Sequence, residues 1–169
     1  LLLAATLSPL YGIYSGFELC ENVPVRDGSE EYLHSEKYEI RVRDWDAPGN
    51  INDDIRRINR LRREHPALRQ LPNLEFCTAE NQDVLCYHKW SGGEHLLCVV
   101  NLDPHETRET MVHVPLGALG IGEDEWFDVE DLLTGDRYTW RGTRNYVRLD
   151  PQEKVAHLLR VTVGEPARE

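Results

Sequence analysis

The stretch "SPLYGIYSGFELCEN" (Ser8 to Asn22) decides how the first part of the chain folds. It is almost uncharged until it reaches Glu18 and Glu21. A secretory signal would need a basic leading segment, and a spanning helix about twenty apolar residues. Pro9, Gly12 and Gly16 interrupt the run, and no basic segment precedes it. Leu1 to Leu7 therefore reads as the end of a buried helix stopped by Ser8-Pro9. Leu10 to Phe17 reads as a short strand with apolar side chains at both parities, as in a parallel sheet covered on both faces. Carboxylates directly after such a strand stand where α/β folds build active sites. Glu18 and Glu21 are read either in that role or as loop residues facing cations and backbone amides.

No periodicity persists from Glu18 to Asn50, a segment dense in charge, proline and glycine that still holds Tyr32, Tyr38 and Trp45. A loop of that length inside a compact region is usually functional. Asp44-Trp45-Asp46 sets two carboxylates around an aromatic, as sugar-cleaving sites require, although Asp46 before Pro48-Gly49 suits a turn better. Lys37 and Tyr38, beside Glu36, place a cation and a phenol where both can bond sugar hydroxyls.

Asn50 to His65 carries the clearest helical pattern, with Ile51, Ile55, Ile58, Leu61 and His65 on one face. Asn50 serves as N-cap, Asp53 and Asp54 suit the first turn, and Pro66 stops the helix. His65 reads as a helix-end residue favoured by the dipole, and the arginines from Arg56 to Arg63 as a solvated face. After Pro72 the texture changes to strands: 74–79, 84–90, 95–102, 107–114, 126–131, 137–140, 146–149 and 155–163. Turns such as Ser91-Gly92-Gly93 and Thr134-Gly135-Asp136 separate them. Alternation in "EHLLCVVNL" and "KVAHLLRVTV" and the close spacing of the strands predict an antiparallel sandwich. Trp90, Trp126 and Trp140 read as core or interface residues, with a sugar platform as the alternative.

The 169 residues carry a formal net charge of −11, which repels nucleic acid and anionic membranes alike. The four cysteines have no metal-ligand spacing and read as reduced thiols of a cytoplasmic protein. No histidine pattern suggests a metal, and no cofactor motif is found. The opening Leu1-Leu2-Leu3 reads as a helix interior, so the chain is expected to be a piece of a longer protein.

The order of helix, "IYSGFE" (Ile13 to Glu18), long loop, "LRREHPAL" (Leu61 to Leu68) and β domain resembles the C-terminal end of the α-amylase superfamily. "LAATLSPLYGIYSGFELCEN" and "GSEEYLHSEKYEIRVRDWDAPGNI" look more specifically like the bacterial α-1,4-glucan:maltose-1-phosphate maltosyltransferases. That resemblance covers about residues 3 to 68 closely and the rest loosely. It implies α/β plus all-β architecture. Residues 1–71 would be the last strand, loop and helix of a (β/α)8 barrel, and residues 72–169 a C-terminal β-sandwich. It also implies retaining transfer of maltosyl units from α-maltose 1-phosphate to an α-1,4-glucan, with a covalent maltosyl-enzyme between the two steps. The catalytic carboxylates are expected upstream of Leu1. Lys37 and Tyr38, with Glu36 beside them, match a position expected to contact the donor sugar. Trp45 and Asp46 would brace the loop. The partners implied are the two substrates, the rest of the barrel, and a second copy in a homodimer of the full-length protein. An α-glucan hydrolase or transglycosylase, and a non-catalytic carbohydrate-binding β module, remain open.

Overall fold

A computed structural model describes residues 1–33 and 40–162. The chain divides into two compact units, Leu1–Glu64 and His65–Glu169. In the first, helix α1 (Leu2–Leu7) meets helix α2 (Asn52–Glu64). The α2 N-terminus is capped as its sequence predicts, because the Asn50 Oδ1 accepts the Asn52 N–H at 3.1 Å. Ile58 and Leu61 form its buried stripe.

Arg62 corrects the expectation of a fully solvated basic face. It is buried, and its guanidinium donates to the carbonyls of Ala5, Ser8 (3.2 Å) and Pro9 (2.7 Å). These carbonyls end α1 and the turn after it, and nothing within the helix satisfies them. A cation at that C-terminal end is also favoured by the helix dipole.

The predicted strand Leu10–Phe17 is corrected too. Residues 11–14 run on without a ladder, a turn follows at Ser15-Gly16, and Phe17–Leu19 form one 3₁₀ turn. No described strand lies alongside to complete its hydrogen bonds. Two of its apolar side chains are bare, Leu10 at 83% and Tyr14 at 52% exposure.

In the second unit all eight predicted strands form. They are β1 (Leu74–Cys77), β2 (Val84–Ser91), β3 (Glu94–Asn101), β4 (Arg108–His113), β5 (Trp126–Asp131), β6 (Arg137–Arg141), β7 (Arg144–Leu149) and β8 (Ala156–Thr162). A short helix, α3 (Leu116–Leu119), joins β4 to β5. Six strands make one antiparallel sheet in the order β1-β2-β3-β8-β5-β6, and β4 pairs with β7 in a second. Gly92 and Gly93, at φ 58° and 86°, supply the left-handed pair that a tight β2–β3 hairpin needs.

Val84, Cys86, Leu97, Val99, Phe127, Val129 and Leu159 of the large sheet pack against Val112, Val147 and Leu149 of the small one. The strands β5 and β7 show the simple buried–exposed alternation of a half-covered sheet. By contrast, β3 and β8, where alternation was expected, are buried on both faces along most of their length. They are the central strands, and the 3₁₀ turn Pro66–Arg69 lies over β2 and β3 on the side away from β4 and β7. Beneath that turn, fully buried Lys89 donates to the Gln70 carbonyl at 2.8 Å.

His65 follows the last residue of α2 and has a side-chain partner of its own. Its Nδ1 sits 2.6 Å from Glu94 Oε1, a side chain from the β2–β3 hairpin. Of the three tryptophans in the β domain, Trp140 is buried in the core. Trp90 stacks on His88 at 4.9 Å, whereas Trp126 is 64% exposed beneath the Arg141 guanidinium. Among the described residues no helix is long and apolar enough to cross a membrane.

Candidate functional site

The long loop of the first unit is organised by Glu21. Arg43 donates from Nε to Oε1 at 3.1 Å and from Nη2 to Oε2 at 3.3 Å, and Arg41 Nη1 donates to Oε2 at 3.2 Å. Both arginines point inward, while Ile40 and Val42, at alternate positions, are 99% and 94% exposed. That is the reverse of the pattern expected at a free surface. The Arg43 side chain is almost wholly withdrawn from solvent, which makes its pairing with a carboxylate obligatory.

Gly16 makes room for this contact. It holds φ +101°, and a Cβ there would lie 2.2 Å from Glu21 Oε2. Glu18 closes the same turn, its Oε2 accepting the Gly16 N–H at 3.0 Å and its carbonyl accepting the Ile51 N–H at 2.8 Å. Both glutamates thus take the supporting role among the two that their sequence context allowed.

Residues 23–33 form a small hairpin-like excursion. Val25 N–H donates to the Glu31 carbonyl, Leu33 N–H to that of Val23, and Pro24 bridges Tyr32. The Tyr32 ring meets Tyr14 edge-on at 6.1 Å. Glu21, Asn22, Val23, Tyr32, Leu33 and Arg41 line a cavity of about 180 Å³. The chain is therefore tied down just before residue 34, through Tyr32, and just after residue 40, through Arg41 and Arg43. Glu36, Lys37 and Tyr38, the predicted substrate contacts, lie outside the described residues.

Asp44-Trp45-Asp46 is a turn. The Asp44 Oδ1 accepts the Asp46 N–H at 3.1 Å, and its carbonyl accepts that of Ala47 at 3.2 Å. Trp45 is held through its carbonyl by Asn52 Nδ2 at 2.8 Å and lies under Arg43, 5.9 Å from the guanidinium. Among the described residues no group of three or more His, Cys, Asp or Glu side chains could hold a metal ion. Sequence reasoning missed the two arginines. The signal was the alternation "IRVRDW", in which apolar and cationic residues swap the faces a soluble loop would give them.

A model of the family described as "GLGE, C-terminal" matches residues 76–161, from β1 to the end of β8. The chain belongs to this family. Its relatives include maltosyltransferase 1 of Streptomyces coelicolor, an alpha-1,4-glucan:maltose-1-phosphate maltosyltransferase, which is 49% identical over 94% of this chain and 24% of its own length. The namesake enzyme of Corynebacterium glutamicum is 48% identical over 92% of this chain and 24% of its own length. This GLGE-family chain thus spans about a quarter of the relatives it matches. Among solved structures, the maltogenic alpha-amylase AmyB from Thermotoga neapolitana aligns with a TM-score of 0.64 over 96% of this chain and 35% of its own. At 15% identity that likeness speaks for the fold alone.

Proposed function

We propose that the chain is the C-terminal portion of a retaining maltosyltransferase. It would take maltosyl units from α-maltose 1-phosphate and add them to the non-reducing ends of α-1,4-glucans. The observation that carries this reading is the near-half identity to enzymes of that name, which runs through both compact units rather than through the β domain alone. Residues 1–71 are the end of the catalytic barrel in this proposal, and residues 72–169 the β-sandwich domain.

The bare apolar side chains of the first unit support the barrel. Leu10, Ile40 and Val42 are all more than four-fifths exposed. Apolar surface of that kind calls for a cover, and the remainder of a barrel, upstream in the polypeptide, is the cover proposed. Leu10–Phe17 then gains the neighbouring strands it lacks and becomes a barrel strand.

The chemistry divides accordingly. An upstream carboxylate displaces phosphate from C1 of the donor, giving a maltosyl-enzyme and inorganic phosphate. A hydroxyl at the non-reducing end of the glucan then attacks the same carbon, regenerating the carboxylate, while a second carboxyl group takes the proton. Lys37 and Tyr38, with Glu36, bond the hydroxyls of the donor's sugar. The Glu21 clamp and the Tyr14–Tyr32 contact hold the two ends of the segment that carries them. The full-length protein acts in the cytoplasm as a homodimer, through domains upstream of this chain.

The test supplies the full-length protein with α-maltose 1-phosphate and a short maltooligosaccharide. Phosphate release matched by products longer by two glucose units is the expected result. Release of free maltose without elongation would instead identify a hydrolase.

A further inference from the structure

At the open edge of the sandwich, β6, β7, β8 and the loop before β8 enclose a cavity of about 350 Å³, to which no role has yet been given. Its size falls at the lower end of the range for small-ligand sites. The floor is apolar, built from Trp140, Val147 and Leu159, and Tyr146 stands at the mouth, 55% exposed.

The polar groups on its walls are held in place. Asp131 is wholly buried. Its Oδ1 accepts the amides of Leu133 (3.1 Å) and Leu158 (3.3 Å), and its Oδ2 lies 2.8 Å from His157 Nδ1. A carboxylate in that position holds a neutral imidazole as the Nδ1–H tautomer, so Nε2 keeps its lone pair for a hydroxyl donor. The Tyr138 ring meets His157 edge-on at 6.0 Å. Lys154 Nζ is aimed by Asp136 Oδ2 at 2.5 Å and by the Tyr138 oxygen at 3.1 Å. The cavity thus offers a fixed donor, a fixed acceptor and aromatic surface, with Glu153 adding a second acceptor.

Its charges are internally matched. Lys154 is paired with Asp136, and Arg148 with Asp150 at 3.0 Å. No cation is left over to attract a free anion. A neutral ligand whose hydroxyls both donate and accept, and whose C–H face can lie on a ring, suits these walls best.

We propose that this cavity holds one or two glucose units of an α-1,4-glucan. That the ligand is a sugar follows from the cavity, whereas the choice of α-1,4-glucan among sugars rests on the function proposed above.

Calorimetric titration of the protein with maltoheptaose tests the proposal, with Tyr146→Ala and Lys154→Met as variants and thermal unfolding to confirm their fold. Saturable binding, weakened about tenfold or more by each substitution, is the expected result. Absence of saturation, undiminished affinity in both variants, equal affinity for cellohexaose, or displacement of the sugar by inorganic phosphate would each overturn it. Should a variant unfold, the His157 ring resonances of the unmodified protein decide. A shift on saturation with maltoheptaose supports the site, and unchanged resonances reject it. The titration involves neither donor nor turnover, so a failed transfer assay and a failed titration are separate results.

Discussion

Arg43 reaches back across 22 residues to Glu21 and takes both carboxylate oxygens, while its own side chain is only 2% exposed. Two loop segments that share no secondary structure are joined by this one fork of hydrogen bonds. Truncating Glu21 to alanine leaves a withdrawn guanidinium without that carboxylate. The expected cost is about 2–3 kcal/mol, below the full value for a deeply buried pair because the Glu21 side chain is partly exposed. Thermal unfolding of Glu21→Ala, Arg43→Met and the double variant measures the coupling. Additive losses would show that the pair is not a unit.

Gly16→Ala should destabilise the same region by a different route. The added methyl meets Glu21 Oε2, and a non-glycine residue at φ +101° is strained even in open space. A loss of about 1–3 kcal/mol is expected, and increased proteolysis between residues 16 and 45 reads it out locally.

Under the function proposed for the full-length protein, Lys37→Ala and Tyr38→Phe should raise KM for α-maltose 1-phosphate about tenfold or more, because each would remove a hydrogen bond to the donor sugar. Steady-state phosphate release gives the values. Unchanged KM in both variants would remove these residues from the site.

Acid should weaken the β domain through His88. Burial, and then the charge of neighbouring His95, push its pKa from 6.5 down to about 4. Above pH 6.5 the ring is neutral in the folded and unfolded chains alike. Between 6.5 and 4 the unfolded chain takes up a proton that the folded one refuses, so stability falls as pH falls, on the order of 2 kcal/mol in all. Unfolding curves at pH 7 and pH 4.5 measure the slope, and His88→Gln should make it shallower.

Thiol labelling should follow exposure. Cys20 is exposed and Cys77 half-buried, whereas Cys86 and Cys98 are buried. Cys77 faces Cys86 across β1 and β2, and the hydrogen bond from the Cys86 thiol lowers the Cys77 pKa while that of Cys86 is raised. Iodoacetamide under native conditions is expected to modify Cys20 and Cys77, and to reach the other two only after denaturation. Mass spectrometry of the labelled peptides decides. Early modification of Cys98 would contradict its burial at the centre of the large sheet.

Local physics made the β domain legible. Period-two patterning and turn residues such as Ser91-Gly92-Gly93 act within a few residues, so all eight strands could be placed from sequence. Helix α2 was equally plain, because Asn50 and Pro66 mark its ends. The predicted alternation in β3 and β8 failed because burial on a second face depends on what lies across the sheet. The strand expected at Leu10–Phe17 did not form, since a strand is a pairing and no described strand lies beside it.

The quoted stretch from Ser8 to Asn22 shows where the division falls. Its sequence alone determined that an uncharged run would end in two carboxylates, but read alone it continued as a strand through Gly16, where the structure turns. Only the tertiary structure decided what those carboxylates do. Glu18 closes the turn and Glu21 anchors Arg41 and Arg43, since an ion pair depends on distances in space that no spacing along the chain encodes. The Asp131–His157 pair and the cavity beside it arose in the same way, when β8 came to lie between β3 and β5.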